Sequence, residues 1–214
     1  MKKILITGKD SYIGTNFKKY LEQYSDEYYV EELDVRNKSW KEFDFSQFDV
    51  VYHVAGLAHS TPDESQRKLY YKVNTDLTYE VALKAKQEHV KQFIFMSSII
   101  VYGSGTIGED RIITKDTPLT PDNFYGDSKK QAEIKIKPLE DENFKMVIVR
   151  PPMIYGPGSR GNYPLLAKFA KKTPIFPTLE NKRSMLFLGN LMEFIKLMID
   201  NEETGIFLPQ NEEY

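Results

Sequence analysis

The chain has 214 residues, 41% of them hydrophobic, and 29 lysines and arginines stand against 31 aspartates and glutamates. That length buries a full core, most simply in one compact unit, and the balanced charge leaves no basic footprint for nucleic acid. With no cysteines, disulfides, zinc–cysteine sites and thiol nucleophiles are excluded, as suits a cytoplasmic protein; three histidines at unrelated positions predict no metal site.

Met1-Lys2-Lys3 leads into Ile4-Leu5-Ile6-Thr7. The apolar run is too short for a signal peptide, and no later run is long enough to span a membrane. A continuous short apolar run is the pattern of a strand buried on both faces. The loop Gly8-Lys9-Asp10-Ser11-Tyr12-Ile13-Gly14 follows, then a helical face of Ile13, Phe17, Tyr20, Leu21 and Tyr24. A strand, a glycine turn and a helix opening at the turn make an anion site, because backbone N–H groups and the helix N-terminus face the ligand. Gly8, Ser11, Tyr12, Ile13 and Gly14 are therefore candidate dinucleotide-binding residues, Gly8 for the turn and Gly14 for close helix–strand packing.

Residues 28–35 read as a second strand carrying Asp34. It lies about 20 residues beyond the loop, where a carboxylate can bond a ribose 2′-hydroxyl. That favours NAD; Lys9 and Arg36 could each reach a 2′-phosphate and keep NADP open. Residues 49–56 read as a third strand ending in the small Ala55 and Gly56, which admit a flat ligand. His53, inside this apolar run, reads as structural; His59, in the next loop, is open to a substrate role but has none assigned. Residues 63–89 read as a helix with Leu77, Val81, Ala82 and Ala85 inward, and Asn74 either braces the site or lies on the helix surface. Residues 92–98 form a fourth strand ending in Ser97 and Ser98, and 104–120 a polar loop. Residues 145–150 form a fifth strand, stopped by Pro151-Pro152. A helix from Asn190 to Asp200 and a strand from Gly205 to Pro209 close the chain.

Between the fourth and fifth strands lies Phe124-Tyr125-Gly126-Asp127-Ser128-Lys129. Thr120 is a reasonable N-cap and Pro121 suits a first helical position. In a helix, Tyr125 and Lys129 share a face one turn apart. An ammonium beside a phenol favours the phenolate and lowers its pKa from about 10, so that it can exchange protons with a hydroxyl. The spacing alone is equally that of a surface pair. Alternating strands and helices predict a right-handed, doubly wound parallel sheet of Rossmann type.

Five stretches, in this order, carry a resemblance: the Gly8–Gly14 loop, Val51-Tyr52-His53-Val54-Ala55-Gly56, residues 95–103 (FMSSIIVYG), Tyr125-Gly126-Asp127-Ser128-Lys129, and residues 150–158 (RPPMIYGPG). The chain resembles the extended short-chain dehydrogenase/reductase family, the NAD-dependent epimerase/dehydratases of nucleotide sugars. The resemblance implies Tyr125 as acid/base, Lys129 as its partner and ribose ligand, and Ser98 sharing the substrate proton. It puts Ala55, Gly56, Ser97 and Pro151 beside the nicotinamide, and Tyr102, Asn162 and Arg183 toward a UDP-linked sugar, where an arginine fork suits a diphosphate. It implies a 4-epimerase, with a 4-keto-sugar reductase or a non-catalytic dinucleotide-binding protein as alternatives, and a homodimer. Ile99 and Ile100 count against a dehydratase.

Two departures stand out. Ser11 occupies the family's middle glycine, which is tolerated if its φ is negative. The region before Val50 has room for a single strand, predicting a reduced sheet edge near the adenine. Residues 1–150 are expected to form the dinucleotide-binding part. Residues 151–214 are expected to form a partial, truncated substrate lobe interleaved with the last sheet elements and leaving apolar surface exposed.

Overall fold

A computed structural model describes residues 1–58, 63–105, 111–159, 162–172 and 183–212, with the side chains of Asn162 and Pro164 outside that description. Six parallel strands form the main sheet: β1 (Lys2–Thr7), β2 (Tyr28–Leu33), β3 (Val50–His53), β4 (Gln92–Met96), β5 (Lys145–Val149) and β8 (Gly205–Phe207), in the order β2-β1-β3-β4-β5-β8. The short strands β6 (Met153–Tyr155) and β7 (Met185–Phe187) pair in parallel as a second sheet. The order reverses between β1 and β3, so the cleft beyond their carboxyl ends is where an open sheet of this kind takes a ligand.

Successive strand side chains point to opposite faces. Ile4, Ile6, Val50, Tyr52, Ile94 and Met96 meet Phe17 and Leu21 of α1 (Tyr12–Leu21) and Leu191, Ile195 and Ile199 of α6 (Leu188–Asp200). Leu5, Val51, Phe93, Phe95 and Ile148 turn the other way. They meet Val81, Ala82 and Ala85 of α3 (Leu77–Gln87) and Ala132 and Ile136 of α4 (Phe124–Ile136). Each fully buried large apolar side chain contributes roughly 1.5–3 kcal/mol, so both faces are firmly held.

β2 is the sheet edge, and a 3-10 turn (Lys38–Glu42) that buries Trp40 follows it, as the short sequence there predicts. The long helix expected over 63–89 is segmented. A four-residue helix α2 (Arg67–Tyr70) runs into a π turn (Tyr71–Asp76) and then α3. Of its expected inner face, Val81, Ala82 and Ala85 are fully buried and Leu77 packs at the margin. The 151–212 region is not separate: β8 pairs with β5 and α6 packs on the main sheet, while α5 (Asn162–Lys172) exposes Leu165, Leu166 and Phe169.

Candidate active site

The first turn after β1 is built for close approach. Gly8 has φ +126°, and a Cβ there would lie 2.8 Å from the Ala55 backbone nitrogen. A Cβ on Gly14 would lie 2.9 Å from Ile6 Cγ2. Both glycines act as the spacing predicts. Ser11 sits at φ −74°, unstrained, and N-caps α1 by accepting the Gly14 N–H at 3.0 Å. Tyr12 reaches across the turn and donates its hydroxyl to the Pro157 carbonyl at 3.1 Å, while Ile13 packs against the core.

At the neighbouring strand ends, three predicted residues converge. Ser98 N-caps a short 3-10 turn (Ile99–Tyr102), accepting from the Ile100 N–H. It also lies close enough to Tyr125 to pull on its phenol, against the rise that burial brings. Tyr125 stands in the first turn of α4, edge-on to the Tyr70 ring at 5.9 Å. Lys129, one turn on, is buried; its ammonium donates to the Met96 carbonyl at 2.8 Å and lies 4.8 Å over the Phe95 ring. A side chain at Gly56 would meet Lys129 Nζ at 3.0 Å and Asn74 Oδ1 at 3.2 Å, so glycine keeps this gap open.

Two local expectations are corrected. The cap of α4 is Asn123, whose side chain accepts the Gly126 N–H at 2.8 Å. Thr120 lies three residues earlier and donates to the Tyr102 carbonyl instead. Nor does Lys129 lower the Tyr125 pKa here. Burial raises it, the nearby Ser98 hydroxyl works against that, and Tyr70 adds to the rise. Burial in turn brings Lys129 down to about 8, with Glu133 pulling the other way. The free protein therefore presents the protonated phenol.

Behind these residues the polar groups are paired. Asn74 is fully buried, a brace and not a surface amide. It accepts the Leu57 N–H at 2.8 Å and donates to the Leu57 carbonyl and to Ser128 Oγ, tying the loop after β3 to α4. The π turn that aims it inward is a feature common at functional sites. His53 is structural, held between Thr7 Oγ1 at 2.7 Å and Thr78 Oγ1 at 3.0 Å, and burial keeps it down to about 3.

Tyr102, expected on the substrate side, is fully buried with its hydroxyl bonded by Arg150 Nη1 at 2.5 Å, so it cannot touch a ligand. Ser97 is buried and donates to Glu133. Pro151 is buried and accepts the Ile99 N–H at 3.0 Å. Asp34 follows β2 directly but is gripped by Arg36, Nε to Oδ1 at 2.9 Å and Nη2 to Oδ2 at 2.7 Å, which pulls its carboxyl down to about 2. Arg183 is exposed just ahead of β7, and Asn162 opens α5; His59 lies outside the described residues. Glu133 and Arg150 had no assigned role. Glu133 sits four residues after Lys129, on the inward face of α4, and Arg150 directly follows the buried strand β5. Two opposite charges placed inward signal a pair, since either alone is too costly to bury. Among the described residues no cluster of three or more acidic or histidine side chains forms a metal site, and no helix is long and apolar enough to cross a membrane.

A family model described as the NAD dependent epimerase/dehydratase family matches residues 4–207. A UDP-glucose 4-epimerase of Vibrio cholerae is 34% identical, aligned over 95% of this chain and 68% of the relative. An N-acetyl-alpha-D-glucosaminyl-diphospho-ditrans,octacis-undecaprenol 4-epimerase of Escherichia coli O157:H7 is 32% identical, over 94% of this chain and 64% of the relative. The chain thus spans about two thirds of the length of these curated relatives. A solved UDP-glucuronic acid 4-epimerase from Bacillus cereus, in complex with NAD, shares the fold with a TM-score of 0.80 at 20% identity, covering 99% of this chain and 78% of that one. A dTDP-4-dehydrorhamnose reductase from Bacillus anthracis, in complex with NADP, does so with a TM-score of 0.76 at 22% identity, covering 99% and 75%.

Proposed function

The chain belongs to the NAD-dependent epimerase/dehydratase family, and from that membership we propose that it is a nucleotide-sugar 4-epimerase acting on a UDP-linked hexose or N-acetylhexosamine. The observation that carries this reading is the placing of Tyr125 in the first turn of α4, with the buried Lys129 ammonium one turn on, bonded to the Met96 carbonyl two residues before Ser98 and facing Gly56. The sugar preference follows the two curated relatives, both 4-epimerases.

The residues present fit a dinucleotide. Gly8, Ser11, Tyr12, Ile13 and Gly14 would hold the pyrophosphate at the α1 N-terminus, and Asp34 the adenosine ribose. Ala55, Gly56 and Lys129, with the backbone of Ser97 and Pro151, would border the nicotinamide end. At Gly8 and Gly56 a Cβ would press on the Ala55 backbone and on Lys129 Nζ, so glycine is what lets these loops pack this closely beside the α1 N-terminus and Lys129. A bound NAD would supply reversible hydride transfer at the sugar C4, to and from opposite faces, with no net oxidation. In its phenolate form Tyr125 would take the proton of the 4-hydroxyl on the outward step and return it on the inward one. Ser98 stands beside the phenol to share that proton, and Lys129 would hold the nicotinamide ribose. Residues 151–214, with Asn162 and Arg183, supply the substrate side. Asp34 favours NAD, since a 2′-phosphate would meet its carboxylate.

The test incubates the protein with UDP-hexoses and UDP-N-acetylhexosamines and follows the products by NMR, with absorbance at 340 nm recording net cofactor use. The 4-epimer should form without net consumption of NAD(H) or NADP(H), and Tyr125→Phe should lower turnover by at least about 100-fold with NAD affinity within about threefold. Steady NADPH oxidation would assign the chain to the keto-sugar reductases. Full turnover in Tyr125→Phe would remove that residue from the chemistry.

A further inference from the structure

Glu133 and Arg150 form a buried ion pair, each side chain 4% exposed, with Arg150 Nη2 at 2.5 Å from Glu133 Oε2. Arg150 Nε also donates to Glu133 Oε1 at 3.1 Å. Nothing in the proton transfer described above uses either residue. Each half of the pair has one further partner. Glu133 Oε1 accepts the hydroxyl of Ser97. Arg150 Nη1 donates to the hydroxyl of Tyr102 at 2.5 Å, and its guanidinium lies 5.1 Å over the Tyr102 ring.

Ser97 and Tyr102 bracket one short piece of chain. Ser97 immediately precedes Ser98, and Tyr102 ends the 3-10 turn that Ser98 caps. The pair therefore grips the segment carrying Ser98 at both ends. Its own anchors are the elements that carry the rest of the site: Glu133 stands on α4, one turn beyond Lys129, and Arg150 follows β5, its backbone N–H bonded to Phe207 of β8 at 2.9 Å. We infer that Glu133 and Arg150 are positioning residues that hold the Ser98 hydroxyl against the Tyr125 phenol. The inference rests on the reading of Ser98 and Tyr125 as the proton-transfer pair, and it extends that reading to residues that touch no ligand.

The geometry favours this over a purely structural role. A buried ion pair is weak as a source of stability, because desolvation offsets the attraction, and well-packed apolar residues often replace it without loss. What such a pair does supply is a fixed set of directional donors and acceptors. Here those directions fall on the two flanks of the serine. A displacement of that hydroxyl by about 1 Å is enough to cost a large factor in rate.

Glu133→Ala would strand a buried guanidinium and could prevent folding, so the test uses Ser97→Ala and Tyr102→Phe, which each remove one hydroxyl and keep the pair. Thermal unfolding checks that both variants are folded. Each should lower kcat at least tenfold, with KM and the NAD dissociation constant within twofold. In a Ser98→Ala background neither should lower kcat further, since both act through that serine. An unchanged kcat, or a loss that persists in full in that background, overturns the inference. A second readout needs no turnover: the 13Cζ resonance of Tyr125, assigned by its loss in Tyr125→Phe, should shift in Ser98→Ala and in the same direction in Ser97→Ala and Tyr102→Phe. If the wild type converts no nucleotide sugar, the proposed activity fails, yet the resonance still decides the positioning role. A resonance that moves in Ser98→Ala alone, or in none of the three, overturns it.

Discussion

His53 illustrates how one residue's surroundings set its chemistry. The Thr78 hydroxyl donates to the Asn74 carbonyl at 2.8 Å, so toward His53 Nε2 it accepts. Nε2 then carries the ring proton, and Nδ1 accepts from Thr7. A second proton would place an unpaired charge in a buried site already near the Lys129 ammonium, and the ring stays neutral down to about 3. The unfolded ring titrates near 6.5, so between those values the unfolded state binds the extra proton. Stability from this residue is complete above pH 6.5 and is lost as pH falls toward 3. Urea unfolding at pH 7 and pH 4.5 should show wild type losing on the order of 2–3 kcal/mol more than His53→Gln over that interval. An equal loss in both proteins would remove His53 from the acid sensitivity.

At the scale of elements, helix starts place the chemistry. α4 begins where Asn123 caps it, and its first turn presents Tyr125 to Ser98. Asn123→Ala should cost about 1 kcal/mol in chemical unfolding and reduce turnover, because the phenol hangs on that first turn. Thr120→Ala should leave the helix start intact, since its hydroxyl serves the Tyr102 carbonyl. If the two substitutions destabilised α4 equally, as read by hydrogen exchange of the Gly126 amide, the assigned cap would be wrong. The sequence reading put the cap at Thr120, because Pro121 drew the start of the helix too early. The π turn was illegible for another reason: inserting one extra residue per turn changes no hydrophobic period over six residues, yet it turns Asn74 from surface to core.

For the whole molecule, cofactor affinity and stability are linked. A ligand bound only by the folded state stabilises it by about 2.7 kcal/mol at 100 times its dissociation constant. NAD should therefore raise the melting temperature more than NADP at equal concentration. Asp34→Ala should reverse that order, because the guanidinium of Arg36, now held by three hydrogen bonds to the carboxylate, is released toward a 2′-phosphate. Equal shifts with both dinucleotides in the wild type would show that Asp34 does not discriminate.

The linear chain by itself determined the parallel α/β architecture, the glycine turn with its tolerated Ser11, and the narrowed sheet edge. Apolar runs, glycine positions and helical spacing are local properties, and the sheet's two buried faces leave such runs few alternatives. It also put Ser98, Tyr125 and Lys129 on the right elements. Only the tertiary structure decided which polar groups face one another. Tyr102 looked available to a substrate until Arg150, 48 positions away, was seen to bond its hydroxyl. Lys129 looked like the tuner of Tyr125 until its ammonium proved to bond the Met96 carbonyl beneath the phenol's turn. Charge and hydrogen-bond partners depend on distances across the core, and a buried group must find them among residues far off in the chain.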